Sequence, residues 1–285
     1  MRRALIFGAS GQIGRPLLAR LQARGWELLA VSRSSHADSE GLRWLRGDCS
    51  GVAGLPARID AILSCGPLDA FARWCADAPV AAPRVVAFGS TSVQVKQDSA
   101  DPVERDLAAR LRGGESGVFA AAHDRGAAAT LLRPTLVYGA GRDRTLTRIA
   151  ALARRSGFFV LPRGATGLRQ PVHVDDLAEA ACAAIDADAS HGQAYAMPGG
   201  ESLPYREMVA RVLASQQPRA RLLEVPVPLF SAAVALARAG GCLQDFGDGA
   251  LARMREDLVF DGGPAQRDLG YAPRVFHPTA RMFVS

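Results

Sequence analysis

The chain has five cysteines, Cys49, Cys65, Cys75, Cys182 and Cys242, an odd number, well separated and without a Cys-x-x-Cys spacing. That excludes a paired-cysteine metal site or redox couple, so no metal is expected and the thiols read as reduced and mostly buried. Long apolar runs are missing too. Met1-Arg2-Arg3-Ala4-Leu5-Ile6-Phe7 is too short for a secretory signal, and no stretch approaches the roughly 18 apolar residues of a membrane span. A cytoplasmic protein without an integral membrane segment is the expectation. The most apolar helical stretch, 225–239, lacks the basic polar face of an interfacial helix and is expected to be buried in a smaller lobe, contact with lipid being the alternative. Aromatic residues make up only 6% of the chain, and its arginines are dispersed. The formal net charge of +6 therefore comes without the aromatic-basic ladder of a nucleic-acid binder, and suits a small anionic ligand. No internal repeat is visible, which excludes a solenoid.

What is present is enough for one large α/β core plus a smaller lobe: 285 residues, 48% hydrophobic and 22% charged. The most informative stretch is Ala4-Leu5-Ile6-Phe7-Gly8-Ala9-Ser10-Gly11-Gln12-Ile13-Gly14, a short apolar strand running straight into three spaced glycines. Gly8 permits a tight turn out of the strand, Gly11 lets backbone approach a pyrophosphate, and Gly14 lets the next helix pack closely. Ser10, Gln12 and Ile13 complete this turn. An amphipathic helix follows, ending at Gly25, and then a second strand over 27–31, which completes a βαβ unit with a helix N-terminus aimed at phosphate.

The second strand ends in Ser32-Arg33-Ser34. An NAD site usually carries an acid there for the ribose 2′-hydroxyl, whereas a cation and two hydroxyls favour the 2′-phosphate of NADP; NAD and a merely solvated Arg33 are the alternatives. Further strands are expected over 61–63, 84–88, 130–132 and 193–196, and helices over 68–76, 106–112 and 116–125, with loops around 139–164. Such alternation is that of a Rossmann-type doubly wound parallel sheet. Ser202 is expected to cap a helix in the smaller lobe.

Several segments together resemble the extended short-chain dehydrogenase/reductases of the NAD(P)-dependent epimerase/dehydratase group, which act largely on nucleotide sugars. They are Gly8 to Gly14, Gly47-Asp48, Phe88-Gly89-Ser90-Thr91-Ser92-Val93, Leu132-Arg133-Pro134-Thr135-Leu136-Val137-Tyr138-Gly139, Arg169-Gln170-Pro171-Val172-His173-Val174-Asp175-Asp176, and Leu269-Gly270-Tyr271-Ala272-Pro273. The resemblance implies a cofactor domain over 1–165 and a substrate lobe over 166–285, the chain re-entering the main domain around 170–197. It places Asp48 at the adenine, Ser64, Cys65 and Gly66 at the cofactor riboses, and Pro134 to Tyr138 beside the nicotinamide. Arg169 would meet a substrate phosphate, with a surface salt bridge to Asp175 or Asp176 as the alternative. His173 reads as a satisfied core histidine, with a substrate contact as the alternative.

One departure is decisive for chemistry. The family pairs a Tyr with a Lys four residues later, the Lys lowering the phenol pKa for proton exchange with substrate. Here the residues four beyond Tyr138, Tyr195, Tyr205 and Tyr271 are Arg142, Gly199, Val209 and Val275, and the single lysine is Lys96. Counting back from Glu115 puts the two positions at Leu107 and Leu111. Ser90, Thr91 and Ser92 remain as hydroxyl partners for a substrate, with a polar strand end satisfying local backbone groups as the alternative, and Tyr138 or His123 with Asp124 as replacement acid/base groups, a solvated surface pair being the simpler account of His123 and Asp124. Two readings follow: an epimerase, dehydratase or reductase with an altered acid/base group acting on a nucleotide-sugar-like or other anionic substrate, or an NADP-binding regulatory or structural protein without turnover. Gly113-Gly114 is expected to shorten a helix of the family's dimer interface, leaving a monomer or weak dimer.

Overall fold

In the computed structural model, which describes residues 1–143, 145–239, 251 and 253–284, β1 (Arg3–Phe7) forms from an apolar run buried from Ala4 onward. Helix α1 (Gly14–Ala23) leads to β2 (Glu27–Ser32), then β3 (Leu42–Asp48) and β4 (Ala61–Ser64). Helix α2 (Leu68–Ala76), β5 (Arg84–Phe88), α3 (Pro102–Asp124) and β6 (Ala128–Pro134) follow. After an excursion the chain returns with α4 (Val174–Asp186) and β7 (Gln193–Met197), and later with α5 (Gly263–Leu269). Cys242 lies outside the described residues.

The strands make one sheet in the order β7-β6-β5-β4-β1-β2-β3, all parallel, with the short strand Gly51–Val52 antiparallel on the β3 edge. This is the doubly wound sheet expected, and its strand order reverses between β1 and β4, where Phe7 pairs with Val31 on one side and Ser64 on the other. A crevice opens at the carboxyl ends of the strands at such a switch point. Phe7, Phe71 and Trp74 anchor the core, with Phe7 4.4 Å from the Trp74 ring.

The two helices expected over 106–112 and 116–125 are one. Helix α3 is capped by Asp101, whose carboxylate accepts from the Val103 N–H at 2.9 Å, and it runs unbroken through Gly113 and Gly114. Two glycines cost a helix about 2 kcal/mol against alanine, but Gly114 faces α2, where a Cβ would stand 3.0 Å from the Asp69 nitrogen. The close approach offsets the propensity loss. The premise of a shortened helix, on which the expected weak association rested, therefore fails.

At the opposite end of the sheet Arg84, 8% exposed, crosses from β5 to the end of α4. Its guanidinium donates to the carbonyls of Ile185 (3.1 Å), Ala128 (3.2 Å) and Ala184, and to the hydroxyls of Thr130 and Ser190 (3.1 Å each). Burial lowers its pKa, and the charges of Asp188 and Asp186 oppose that.

The chain divides into two compact units: Met1–Thr135, Val172–Pro198 and Asp261–Pro273 form the first; Leu136–Pro171, Gly199–Phe260 and Arg274–Ser285 the second. In the second unit, helix Leu146–Ser156 and strand Phe158–Pro162 occupy the stretch expected as loops, the helix because Leu146, Ile149, Ala150 and Ala153 repeat at helical spacing. Strand Phe158–Pro162 pairs in parallel with Arg221–Val225. Ser202 does not cap the next helix, Tyr205–Ala214, whose N-cap is Pro204 without a side-chain bond. The apolar helix Val227–Ala239 is not the buried element expected: Leu229 and Leu236 are 63% and 75% exposed, and Phe230 turns inward. No helix among the described residues is long and apolar enough to cross a membrane.

Candidate functional site

The glycine turn leaves β1 at the switch point. Gly8 has φ +69°, and a Cβ there would stand 2.8 Å from the Cys65 carbonyl carbon, so the turn lies against the chain as it leaves β4. Gly11 N–H donates to Gly8 O at 2.9 Å and closes it. A Cβ on Gly14 would overlap Gly8 O and Ala9 O, which is why α1 can begin so near the strand.

Helix α1 starts with Ile13 at the N-cap, makes no side-chain cap bond, and has no acid in its first turn. Its first N–H groups and positive dipole end are thus available to an anion. Gln12 Oε1 and Ser64 Oγ are buried without a hydrogen-bond partner among the described residues. Orphaned polar atoms of this kind call for a polar occupant. The turn, the uncapped helix and these two atoms fit a dinucleotide.

Around this turn the carboxyl ends of the other strands present the expected residues. Ser10 and Ser32 hydroxyls lie 3.1 Å apart. Arg33 is exposed. Asp48 accepts from Ser50 N (2.8 Å) and Ser50 Oγ (2.5 Å), bonds that, with the charge of Arg33, hold its carboxyl below the usual range. Cys65 and Gly66 follow β4 against Gly8, and burial pushes the Cys65 thiol up to about 12, which makes it inert as a nucleophile. Burial likewise raises Cys49 and Cys182 to about 11.

Beyond β5, Thr91 N and Oγ1 both donate to Pro134 O at 3.2 Å, tying β5 to β6 and committing the threonine proton. Ser90 Oγ accepts from Ser92 N at 3.1 Å and keeps its own proton for donation. On α3, Glu115 is bound through both oxygens by Arg133, at 2.7 and 2.5 Å. Leu111, partly buried, packs against the core from that helix. Lys96 pairs with Glu104 at 3.2 Å, in the first turn of α3. His123 and Asp124 are both exposed.

Burial raises the pKa of Tyr195, Tyr205 and Tyr271; the Tyr195 hydroxyl donates to Asp268 at 2.8 Å and the Tyr271 hydroxyl to Pro198 O at 2.6 Å. Tyr138, 1% exposed, packs its ring edge-on against Phe276 at 4.9 Å in the apolar core of the second unit.

Arg169, in the second unit, is not the surface cation of the alternative reading: it is 7% exposed. It donates to the carbonyls of Leu168 (2.7 Å), Glu256 (2.8 Å) and Arg253, and lies over the Tyr205 ring. Asp175 pairs instead with Arg20 at 3.2 Å. His173 is the N-cap of α4, its Nδ1 accepting from Asp175 N at 3.1 Å, the satisfied histidine expected. Sequence reading missed His36, whose Nε2 reaches Ser32 Oγ at 3.2 Å while its ring lies on Trp44. The four-residue spacing from Ser32 was the available signal.

The model of the NAD dependent epimerase/dehydratase family matches residues 4–82 and 108–197, more than half of the chain. The chain belongs to that family. A curated relative, the 2-alkyl-3-oxoalkanoate reductase of Stenotrophomonas maltophilia (strain K279a), is 27% identical, the match covering 96% of this chain and 95% of the relative. Among solved structures, MoeE5 in complex with UDP-glucuronic acid and NAD superposes with a TM-score of 0.70 at 20% identity, covering 96% of this chain and 94% of that one. UDP-N-acetylglucosamine 4-epimerase from Bacillus cereus gives 0.70 at 12% identity, covering 99% and 94%. At these identities the structural likeness establishes the fold.

Proposed function

We propose that this family member is a nicotinamide-dinucleotide-dependent oxidoreductase of the epimerase, dehydratase or reductase type, favouring NADP and acting on a small anionic carbonyl or sugar substrate. The observation that carries the reading is the Gly8–Gly14 turn at the sheet's switch point, leading into a helix whose N-terminus has neither a side-chain cap nor a first-turn acid. Gly8, Ser10, Gly11, Gln12, Ile13 and Gly14 would hold the pyrophosphate, Arg33 the 2′-phosphate, and Asp48, Ser64, Cys65 and Gly66 the adenosine and ribose parts. Pro134 would border the nicotinamide. A nicotinamide held there would supply hydride transfer to or from a substrate carbon.

What the chain's own residues contribute follows from their bonds. Ser90 has a proton to donate to a substrate oxygen, while Thr91 has committed its proton to Pro134 and fixes the strand ends. Ser92 would add a second hydroxyl. The related 2-alkyl-3-oxoalkanoate reductase supports a 3-oxo acid as substrate, and the MoeE5 complex with UDP-glucuronic acid supports a nucleotide sugar. Both are anions, in keeping with the net charge of +6.

The deciding experiment is a titration with NADPH and NADH, read by energy transfer from Trp26, Trp44 and Trp74, followed by NADPH oxidation with a 2-alkyl-3-oxo acid and, separately, with UDP-sugars. Preferential NADPH binding and turnover of one substrate class is the expected result; binding of neither dinucleotide would overturn the reading. A second reading, a dinucleotide-binding protein without turnover, is favoured by Leu107 and Leu111 standing where the resemblance puts Tyr and Lys. Tight NADPH binding with no turnover of either class would select it.

A further inference from the structure

The carboxyl end of β2 holds a small polar array that the cofactor reading above has not absorbed. Ser32, 5% exposed, is its hub. Its Oγ lies 3.1 Å from Ser10 Oγ and 3.2 Å from His36 Nε2, and it accepts from Ser34 N at 3.2 Å. A hydroxyl has one hydrogen and two lone pairs, so three partners saturate it and leave nothing for a bound ribose. Ser32 therefore positions its neighbours.

The neighbour it positions most closely is His36. The imidazole face lies on Trp44, ring centroids 4.2 Å apart and planes tilted by 33°. Trp44 is itself pinned, its backbone N–H donating to Asp38 at 2.7 Å. With Nε2 on Ser32 and one face on Trp44, the ring orientation is fixed, and Nδ1 is the ring nitrogen that Ser32 does not engage. Among the described residues Nδ1 has no hydrogen-bond partner, and His36 has no ion pair.

The charges in this neighbourhood argue for an anion there. Arg33 is exposed and lies near enough to Asp48 for its charge to act on that carboxylate. Asp48 in turn is engaged by two donors of Ser50. A ribose 2′-hydroxyl would want a carboxylate acceptor at the end of β2, where Ser32-Arg33-Ser34 offers none and the nearby Asp38 and Asp48 are taken up by the Trp44 N–H and by Ser50; a phosphate would want donors, and Arg33 and His36 can supply them.

Resting on the dinucleotide reading of the glycine turn, we infer that His36 is a cofactor-selecting residue, which together with Arg33 receives the phosphate of a 2′-phosphorylated adenosine. Its test is a binding measurement on the full chain. NADPH and NADH are titrated into wild type, His36→Ala and His36→Gln, and bound NADPH is displaced with adenosine 2′,5′-bisphosphate and with AMP. The expected result is that His36→Ala weakens NADPH and the bisphosphate by about tenfold, and NADH and AMP by less than about twofold. His36→Gln, which keeps a polar reach to Ser32, decides the matter if the alanine variant fails to fold. An unchanged NADPH to NADH ratio in a folded variant, or an equal loss for both, overturns the role of His36 alone. Failure of the wild type to bind either dinucleotide overturns the glycine-turn reading as well, which separates the two failures.

Discussion

Arg84 is the residue on which the rear of the sheet turns. Its guanidinium is shared among three carbonyls and two hydroxyls, and two of those carbonyls, Ala184 and Ile185, end α4, where a cation also meets the negative end of the helix dipole. Among the described residues no carboxylate hydrogen-bonds it, although the charges of Asp188 and Asp186 act on it from nearby, so its hydrogen bonds carry most of what the interaction is worth. Replacing Arg84 with Met keeps the apolar stem but orphans those acceptors, each at about 1–3 kcal/mol and not additively; a loss of about 3 kcal/mol in a urea titration is expected. Arg84→Lys should recover little of it, since an ammonium cannot reproduce the planar fork. A variant within about 0.5 kcal/mol of wild type would show that water replaces the arginine. None of this was legible in the sequence, because the partners of Arg84 lie 44 to 106 residues away. The glycine turn was legible for the opposite reason: its geometry is local, and a few consecutive residues dictate it. His36 sits between these cases, close to Ser32 in sequence but fixed by a ring on the next strand.

At the scale of elements, α2 against α3 shows how helix propensity yields to packing. In the sequence the glycine pair reads as a break because each glycine disfavours helix on its own. The two differ in what they face. Gly113 is exposed and a Cβ there meets nothing within 4 Å, whereas one on Gly114 would stand 3.0 Å from Asp69 N and 3.1 Å from the Leu68 carbonyl carbon. Opposite signs are expected: Gly113→Ala should stabilise by about 0.5–1 kcal/mol, and Gly114→Val should destabilise by about 1–3 kcal/mol as α2 is pushed away. Thermal melting of both variants checks this, and stabilisation by both would mean that the helices do not pack this closely. The strand and helix alternation itself could be read from apolar runs and their spacing, since each strand of a buried parallel sheet is apolar on both faces. The helix Leu146–Ser156 was not legible because the glycines on either side of it signal loops.

For the molecule as a whole, the scarcity of lysine governs behaviour in alkali. With Lys96 the single lysine among 34 basic residues, the positive charge is almost all guanidinium and survives well past pH 10. The alkaline limb of stability is therefore left to buried thiols and phenols. Burial raises Cys182 and Cys49 to about 11 and Cys65 to about 12, and it raises Tyr195, Tyr205 and Tyr271 as well. These groups are neutral in the folded state at a pH where the unfolded chain has begun to ionise. Each folded pKa lies above its unfolded value, so the unfolded chain binds fewer protons, and stability falls as pH rises. The contribution is fully present below the unfolded thiol value of about 8.5 and is lost as pH rises toward the folded values. Urea midpoints should thus hold steady from about pH 7 to 8, decline above about 9, and steepen past about 10, where unfolded phenols join the thiols. Cys182→Ala should flatten the part between about 9 and 11, since Cys182 is 1% exposed and titrates late only because it is buried. A midpoint that stays constant to pH 11 would mean that these groups ionise in place, and that the folded interior admits water enough to carry their charge.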